Sequence, residues 1–504
     1  MPDQATQADV ILVTPKRDLP RTVGLLSAAG VMVGVTIGSG IYKTPAEIAR
    51  AVDAPWQIIA AWLVGGLLSL FGALTYAELA TMFPRSGGLY NFLYHGFGPR
   101  MSFIFGWTYM LITKPLAAAG IAVVFTEYLG ALFGSGYEPW LSSVVPFSSV
   151  LKDMLGDSWH NIMMVCLVLA ILTWINWLGM RLGSGFNLVL TIIKVTCLGG
   201  IVGCAALYWL GLIGQGEQQA IVEVAQSTTT PISTGLVVGV SMLALAPLLS
   251  AVLWTYDGWS DIGAIAGEVK EPQKNLPKIY LVGTLALIVI YLAVNVAYLS
   301  VLSLNEMRAS SAVASDAMVR MVGPLGAGVV TIFVLLSTLG STHASIMTGA
   351  RVTFAQAQDG LLFSYLAKIH PTRQTPSTAL WTQMTLSCAC AVFFKEFNNL
   401  AGGFVFTMWI FYGLGGIAMM RLRQKMPDAA RAYRCWGYPV IPLLFIASAA
   451  AMTCLQIYEA FTAPTPPNGI APWIHICIFL GILAFGYPAY DLWRTISLRI
   501  NSRR

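Results

Sequence analysis

"GVTIGSGIYKTPAEIA", residues 34–49, decides how the chain is read. The stretch is apolar enough for a membrane, yet Gly38, Ser39 and Gly40 stand in its middle. Glycine weakens a helix by about 1 kcal/mol relative to alanine. Lipid cannot hydrate the backbone groups that a broken helix releases. A break placed there needs a ligand or a partner to satisfy it.

The surroundings make the membrane reading firm. The 504 residues are 56% hydrophobic and 10% charged, too few charges to cover a soluble globule of this size. Apolar runs are continuous over about twenty residues, the length of a membrane-spanning helix and not of a barrel strand. Twelve such blocks are expected: 22–49, 56–83, 98–130, 159–179, 184–212, 233–268, 277–303, 324–358, 379–395, 399–421, 437–460 and 472–495. The fold class expected is an all-α integral membrane protein, inserted by its first helix without a cleavable leader.

Charge sets the orientation. With the N-terminus inside, 21 of the 29 Lys and Arg residues fall on inner segments, so both termini are expected in the cytoplasm. Net charge is +6, with no basic tail suited to nucleic acid. Of the eight cysteines, seven lie in apolar blocks and Cys435 in a basic loop, so no structural disulfide is expected. Cys388 and Cys390 read as small buried hydrophobes, not metal ligands. No H-E-x-x-H, no P-loop and no selectivity-filter pattern occurs, and the five histidines are scattered. An enzyme, an ATP-driven pump and a channel are therefore the weaker classes, and no cofactor or metal is expected.

A second break answers the first. "LWTYDGWSDIGAIAGE", residues 253–268, places Asp257 and Gly258 deep in the sixth block. Divided after the fifth block, the chain has both breaks at the same place in two five-helix halves of opposite orientation. The parts are a tail at 1–21, repeats at 22–212 and 233–421, a final helix pair at 437–495 and a tail at 496–504. Interrupted helices at matching places of inverted repeats point to a midplane site of a secondary transporter. The helix restarting after Gly38–Gly40 offers free N–H groups and the positive end of a dipole to a carboxylate. Carbonyls near Val35, Thr36 and Ile37, and others around Trp254, Thr255, Tyr256 and Asp257, can accept from an ammonium group. The expected site is therefore Thr36, Ile37, Gly38, Ser39 and Gly40 with Trp254, Thr255, Tyr256, Asp257 and Gly258. The plain alternative for Gly38–Gly40 is close helix packing.

These motifs carry a family likeness. "VTIGSGIYKTPAEIA" (35–49), "LSLFGALTYAELATMFPRSGGLYNFL" (68–93) and "LWTYDGWSDIGAIAGEVKEPQKNLPK" (253–278) resemble amino acid permeases of the amino acid–polyamine–organocation superfamily. "NWLGMRLGSGFNLVLTIIKV" (176–195) and "GSTHASIMTGARVTFAQAQDGLL" (340–362) extend the likeness, closest to the L-type amino acid transporter branch and its bacterial relatives. The resemblance implies the LeuT-type 5+5 inverted repeat, with helices 1 and 6 discontinuous and helices 11 and 12 outside the repeat. It departs from the branch at Tyr42 and Lys43, where a Phe and a small residue are usual. Animal members bind a heavy chain through a cysteine between helices 3 and 4. Residues 130–160 hold none, so a stand-alone transporter of a bacterial inner membrane is expected.

Charges at membrane depth each need a reason, because one costs about 2.5–3.5 kcal/mol on insertion scales. By resemblance, Lys194 replaces the cation that sodium-coupled members bind, joining helix 1 to helix 8 at Ser345. It then acts as a fixed strut or as a proton carrier; the plain alternative is snorkelling to an interface. Asp257 meets the cargo amine, organises the break or caps the following half-helix, and the last two are preferred. Trp254 resembles the outer gate. Lys114 is assigned a pairing role, with Glu127 or a vestibule group. His343 reads as a satisfied core histidine. Glu78, Arg85, Glu268 and Arg351 read as helix-end charges or inner-gate pairs. No carboxylate is clearly placed at the side-chain pocket, which favours neutral amino acids, moved by exchange or proton coupling, over cationic amino acids or polyamines.

Overall fold

The computed structural model describes residues 21–133, 137–214, 242–464 and 471–501. The basic residues Lys16, Arg17, Arg503 and Arg504, the segment 215–232 and the stretch 465–470 lie outside them. Among the described residues the regular elements are helical, with one isolated bridge between Val23 and Val269.

Among the described residues, eleven helices are long and apolar enough to cross a membrane. In chain order they are Leu25–Ala51, Pro55–Met82, Pro99–Gly130, Trp159–Leu178, Gly185–Trp209, Pro272–Val301, Pro324–Gln358, Ser377–Phe394, Phe397–Lys425, Val440–Thr462 and Pro472–Ile496. They match blocks one to five and seven to twelve. The sixth block is described in two short pieces, Met242–Tyr256 and the 3₁₀ segment Trp259–Glu268.

Burial separates the blocks. In the third, 89% of the most apolar window is covered by protein, and in the twelfth 22%. The third block is thus surrounded by other helices, while the twelfth turns most of its apolar surface outward. Large exposed side chains such as Trp174, Ile192, Trp209, Val289 and Leu325 continue that outward apolar surface.

The first block bends for a local reason. The helix Leu25–Thr36 ends where Gly38 N–H turns back to Thr36 O at 2.8 Å, and a new helix runs Gly40–Ala51. Thr36 Oγ1 donates to Met32 O at 2.9 Å, a back-bond that favours bending. In the sixth block the helix stops at Tyr256 and Gly258 takes φ +120°, a conformation open to glycine.

The side on which block one begins is here the N-terminal side. There the 3₁₀ segment is wedged tightly. Val23 N–H donates to Glu268 O and Lys270 N–H to Val23 O, both at 2.9 Å. Gly87 N–H donates to Ala264 O at 3.1 Å. On the opposite side, Arg308 Nε donates to Ala49 O at 3.0 Å and Arg50 Nε to Arg308 O at 2.9 Å. These bonds tie the half-helix Gly40–Ala51 to the short helix Leu304–Ala309. That short helix opens with Ser303 as cap, and Arg320 forks onto its Glu306. The guanidinium holds the Glu306 carboxyl down at about 2.

Candidate transport site

The two breaks meet. A methyl group on Gly258 would lie 2.5 Å from Thr36 Oγ1 and 2.8 Å from Thr36 N. One on Gly40 would lie 2.3 Å from Thr255 Oγ1. Glycine is therefore required at both positions for the broken segments to touch. Replacing Gly258 by alanine adds left-handed strain of about 1–2 kcal/mol to that clash. Gly258→Ala is expected to lower cargo uptake at least about tenfold. Uptake per molecule of inserted protein, measured in proteoliposomes, checks this.

Tyr291 of block seven locks the junction. Its hydroxyl donates to Thr36 O at 2.8 Å and Thr255 O at 3.1 Å, one carbonyl from each break. Lys194 and Ser341 hold block one from behind. Lys194 Nζ donates to Gly34 O at 2.6 Å and to Ser341 Oγ at 2.7 Å. Ser341 Oγ lies 2.8 Å from Gly34 O and 3.0 Å from Ile37 O. Lys194 thus connects helices 1 and 8, but through Ser341. Ser345, the residue expected to meet it, lies one turn further and faces the cavity instead.

That cavity, about 30 Å³ in volume, lies between the breaks, lined by Val35, Thr36, Gly38, Ser39 and Gly40 of block one with Trp254, Asp257 and Asp261 of block six. Lys114, Ala117, Ile121, Ser345 and Phe404 complete its walls. Of the ten expected contact residues, Thr36, Gly38, Ser39, Gly40, Trp254 and Asp257 line it. The remaining four build its frame. Ile37 O is anchored by Ser337 and Ser341, and Thr255 packs on Gly40. Tyr256 lies edge-on to Trp62 and Tyr291, and Gly258 abuts Thr36.

The polar inventory of the cavity is unbalanced in a useful way. Among the described residues no acceptor meets the N–H groups of Ser39 and Gly40, and no donor meets Val35 O. The hydroxyls of Ser39 and Ser345 are buried with no partner. Buried polar groups are ordinarily paired. These donors and acceptors, converging on one void at a helix N-terminus, fit a ligand carrying both a carboxylate and an ammonium group.

Trp254 covers the site on the side opposite the N-terminal side. Its ring lies edge-on to Phe397 at 5.5 Å and to Phe404 at 5.4 Å. It also lines a second cavity of about 240 Å³ with Thr44, Glu47 and Glu459, so it stands as the partition between the two. On the N-terminal side, Arg351 Nε and Glu268 Oε1 form a buried ion pair at 2.5 Å. Beyond it a third cavity of about 310 Å³, lined by Arg21, Arg85 and Asp359, shares no lining residue with the first.

Several sequence expectations change here. Lys114 pairs with Asp261, its Nζ at 2.8 Å from both carboxylate oxygens. Glu127 pairs with Lys43 at 2.8 Å instead. Thirteen helical residues, about 20 Å, separate Lys114 from Glu127, beyond side-chain reach. Asp257 does not cap the following segment, whose cap position falls on Gly258. Its Oδ1 accepts from the Tyr412 hydroxyl at 2.5 Å, and Ser260 Oγ lies 2.7 Å from the same hydroxyl. Asp257, an expected site residue, is thus joined in the cavity wall by a second carboxylate, Asp261, where none was clearly placed at the side-chain pocket. His343 is buried against Phe186, but neither ring nitrogen has a partner among the described residues. Glu78 is buried beneath Arg423 and Arg431. All eight cysteines are free thiols.

This geometry belongs to a membrane carrier for small zwitterions, and comparison with known proteins agrees. The profile described as amino acid permease matches residues 23–485, so the chain belongs to that family. Among curated relatives, the b(0,+)-type amino acid transporter 1 of Mus musculus is 30% identical over 81% of this chain and 77% of its own. The serine/threonine exchanger SteT of Bacillus subtilis is 29% identical over 86% of this chain and 90% of its own. The large neutral amino acids transporter small subunit 2 of Mus musculus is 30% identical over 94% and 81%. The protein is a multi-pass amino acid transporter of the L-type-like group.

Proposed function

We propose that the chain exchanges neutral L-amino acids across a bacterial inner membrane by alternating access, with both termini cytoplasmic. The observation that supports this reading is the convergence of the free Ser39 and Gly40 N–H groups and the free Val35 carbonyl on one void. The cargo carboxylate lies on the helix restarting at Gly40. The cargo ammonium group lies between Val35 O and the carbonyls around Trp254. Its side chain points toward Ser345, Phe404 and the Lys114–Asp261 pair. Segments 22–212 and 233–421 act as inverted repeats, since the breaks fall in the first helix of each. Lys194 is the strut that stands where a cation would otherwise join helices 1 and 8, and Trp254 is the outer gate. No disulfide-linked heavy chain is required, because residues 130–160 carry no cysteine.

The family is one of permeases and not of enzymes. A second reading, cationic amino acids as cargo, is favoured by one observation, the presence of Asp257 in the cavity wall. Purified protein in proteoliposomes decides between them. Saturable uptake of labelled serine, threonine or leucine, stimulated several-fold by internal neutral amino acid, is expected. Uptake with no response to internal amino acid would remove exchange.

A further inference from the structure

Lys114 and Asp261 are neutral as a pair but incomplete as hydrogen-bonding groups. Lys114 Nζ lies 2.8 Å from both carboxylate oxygens, and both side chains are buried. An ammonium group has three donors and a carboxylate about four acceptor positions. The two contacts use at most two of each. Among the described residues no other acceptor bonds Nζ, and no other donor bonds the Asp261 oxygens. The Tyr109 ring, its centroid 5.9 Å from Nζ, offers the ammonium a face and no lone pair. A buried ion pair recovers its desolvation cost only when further bonds satisfy the remaining lone pairs and protons. Both residues line the cavity between the breaks, so their spare bonding capacity faces the cargo.

The pair is also held in place. A π-helical turn over Tyr109–Thr113 directly precedes Lys114. Such turns are rare overall and frequent at functional sites. The lysine stem passes over block eight at Gly349, where a methyl group would lie 2.5 Å from Lys114 Cγ. Asp261 N–H donates to Gly258 O at 3.1 Å, which fixes its backbone to the second break. Ala117, Ile121 and Phe404 make the neighbouring wall apolar.

We propose that the Lys114–Asp261 pair is the specificity-determining element of the side-chain subsite, and that it selects neutral amino acids whose side chain both accepts and donates, asparagine above all. The inference rests on the amino acid site described above and names the cargo class within it. The carboxamide oxygen accepts from the third N–H of Lys114, and the carboxamide NH2 group donates to an Asp261 oxygen. Serine and threonine hydroxyls do the same through a single atom. Leucine has nearly the shape of asparagine but leaves both partners unmatched in a closed site. A site built to hydrogen-bond a side chain strongly rejects the apolar analogue. One hydrogen bond to a charged group corresponds to about tenfold or more in affinity.

The test uses proteoliposomes loaded with alanine and given labelled external alanine, a cargo with no side-chain polar group. Unlabelled asparagine is expected to inhibit this exchange at a concentration at least about tenfold lower than leucine, and threonine lower than valine. The double variant Lys114→Met with Asp261→Leu keeps the net charge and is expected to reverse the order, with leucine inhibiting at the lower concentration. A pair with a merely structural role would change exchange of every cargo alike and leave the ratio untouched. Leucine competing as well as asparagine in the wild-type protein would overturn the proposal. So would a double variant that keeps the wild-type ratio. Alanine exchange reads the amino acid site separately: its absence, with no other amino acid exchanged, removes the site and the proposal together, whereas exchange with an even ratio removes the proposal alone. Should the double variant fail to insert, the wild-type ratio decides.

Discussion

Exchange by Lys194→Ala is expected to fall roughly 100-fold in proteoliposomes, at every pH, with the protein still inserted. The expectation follows from what the ammonium group holds. Nζ bridges Gly34 O on block one and Ser341 Oγ on block eight, and it is buried. Hydrogen bonds to a charged donor contribute about 1.5–3 kcal/mol each. Losing one such contribution in full, about 3 kcal/mol, is roughly 100-fold in a rate or an equilibrium. Gly34 O keeps Ser341 Oγ as a partner, so the helix need not unfold when the lysine goes. What is lost is the tether that fixes the last turn before Gly38 against block eight. Any slack there displaces the Ser39 and Gly40 donors from the cargo carboxylate. Arginine does not rescue, because a planar guanidinium cannot occupy the space of a compact ammonium between Gly34 and Ser341. The pH profile separates two roles. A strut lowers exchange uniformly, whereas a proton carrier, once removed, leaves exchange running and flattens its pH dependence. Full activity in Lys194→Ala with an unchanged pH profile would exclude both.

The contrast between Ser341 and Ser345 shows where sequence reading stops. Four residues apart, the two share one helical face. The periodicity therefore says that one of them faces the breaks and cannot say which turn meets Lys194. The breaks themselves were legible, because glycine inside an apolar run has no cheap explanation and because 253–268 repeats the pattern of 34–49. Which residues of a break touch cargo and which touch the other break was not legible. Gly258 and Thr255 look like contact residues in sequence but serve as packing surfaces for Thr36 and Gly40. Tyr291 and Tyr412, which join the breaks and hold Asp257, sit in apolar helices where nothing distinguishes them from core aromatics. The partner of Lys114 lies 147 residues away, inside a segment read only as the second half of a helix. One signal could have found it: a lysine at membrane depth demands a carboxylate at the same depth, and Asp261 lies close in sequence to the second break.

That pair yields the other large effect, and its sign depends on which partner is removed. Breaking a buried ion pair by deleting one member costs about 3–5 kcal/mol, whereas replacing both members by apolar groups is often neutral. Lys114→Met leaves Asp261 and Asp257 facing one void with no cation, so the apparent melting temperature in detergent is expected to drop sharply. Asp261→Leu leaves Lys114 beside Asp257, which already lines the same cavity and can accept the ammonium group. The second variant is therefore expected to lose less stability than the first. The double variant, Lys114→Met with Asp261→Leu, is expected to recover most of the loss, and a third change, Asp257→Asn, to recover more. Equal, additive losses from the two single changes would mean that the three groups do not share one electrostatic environment.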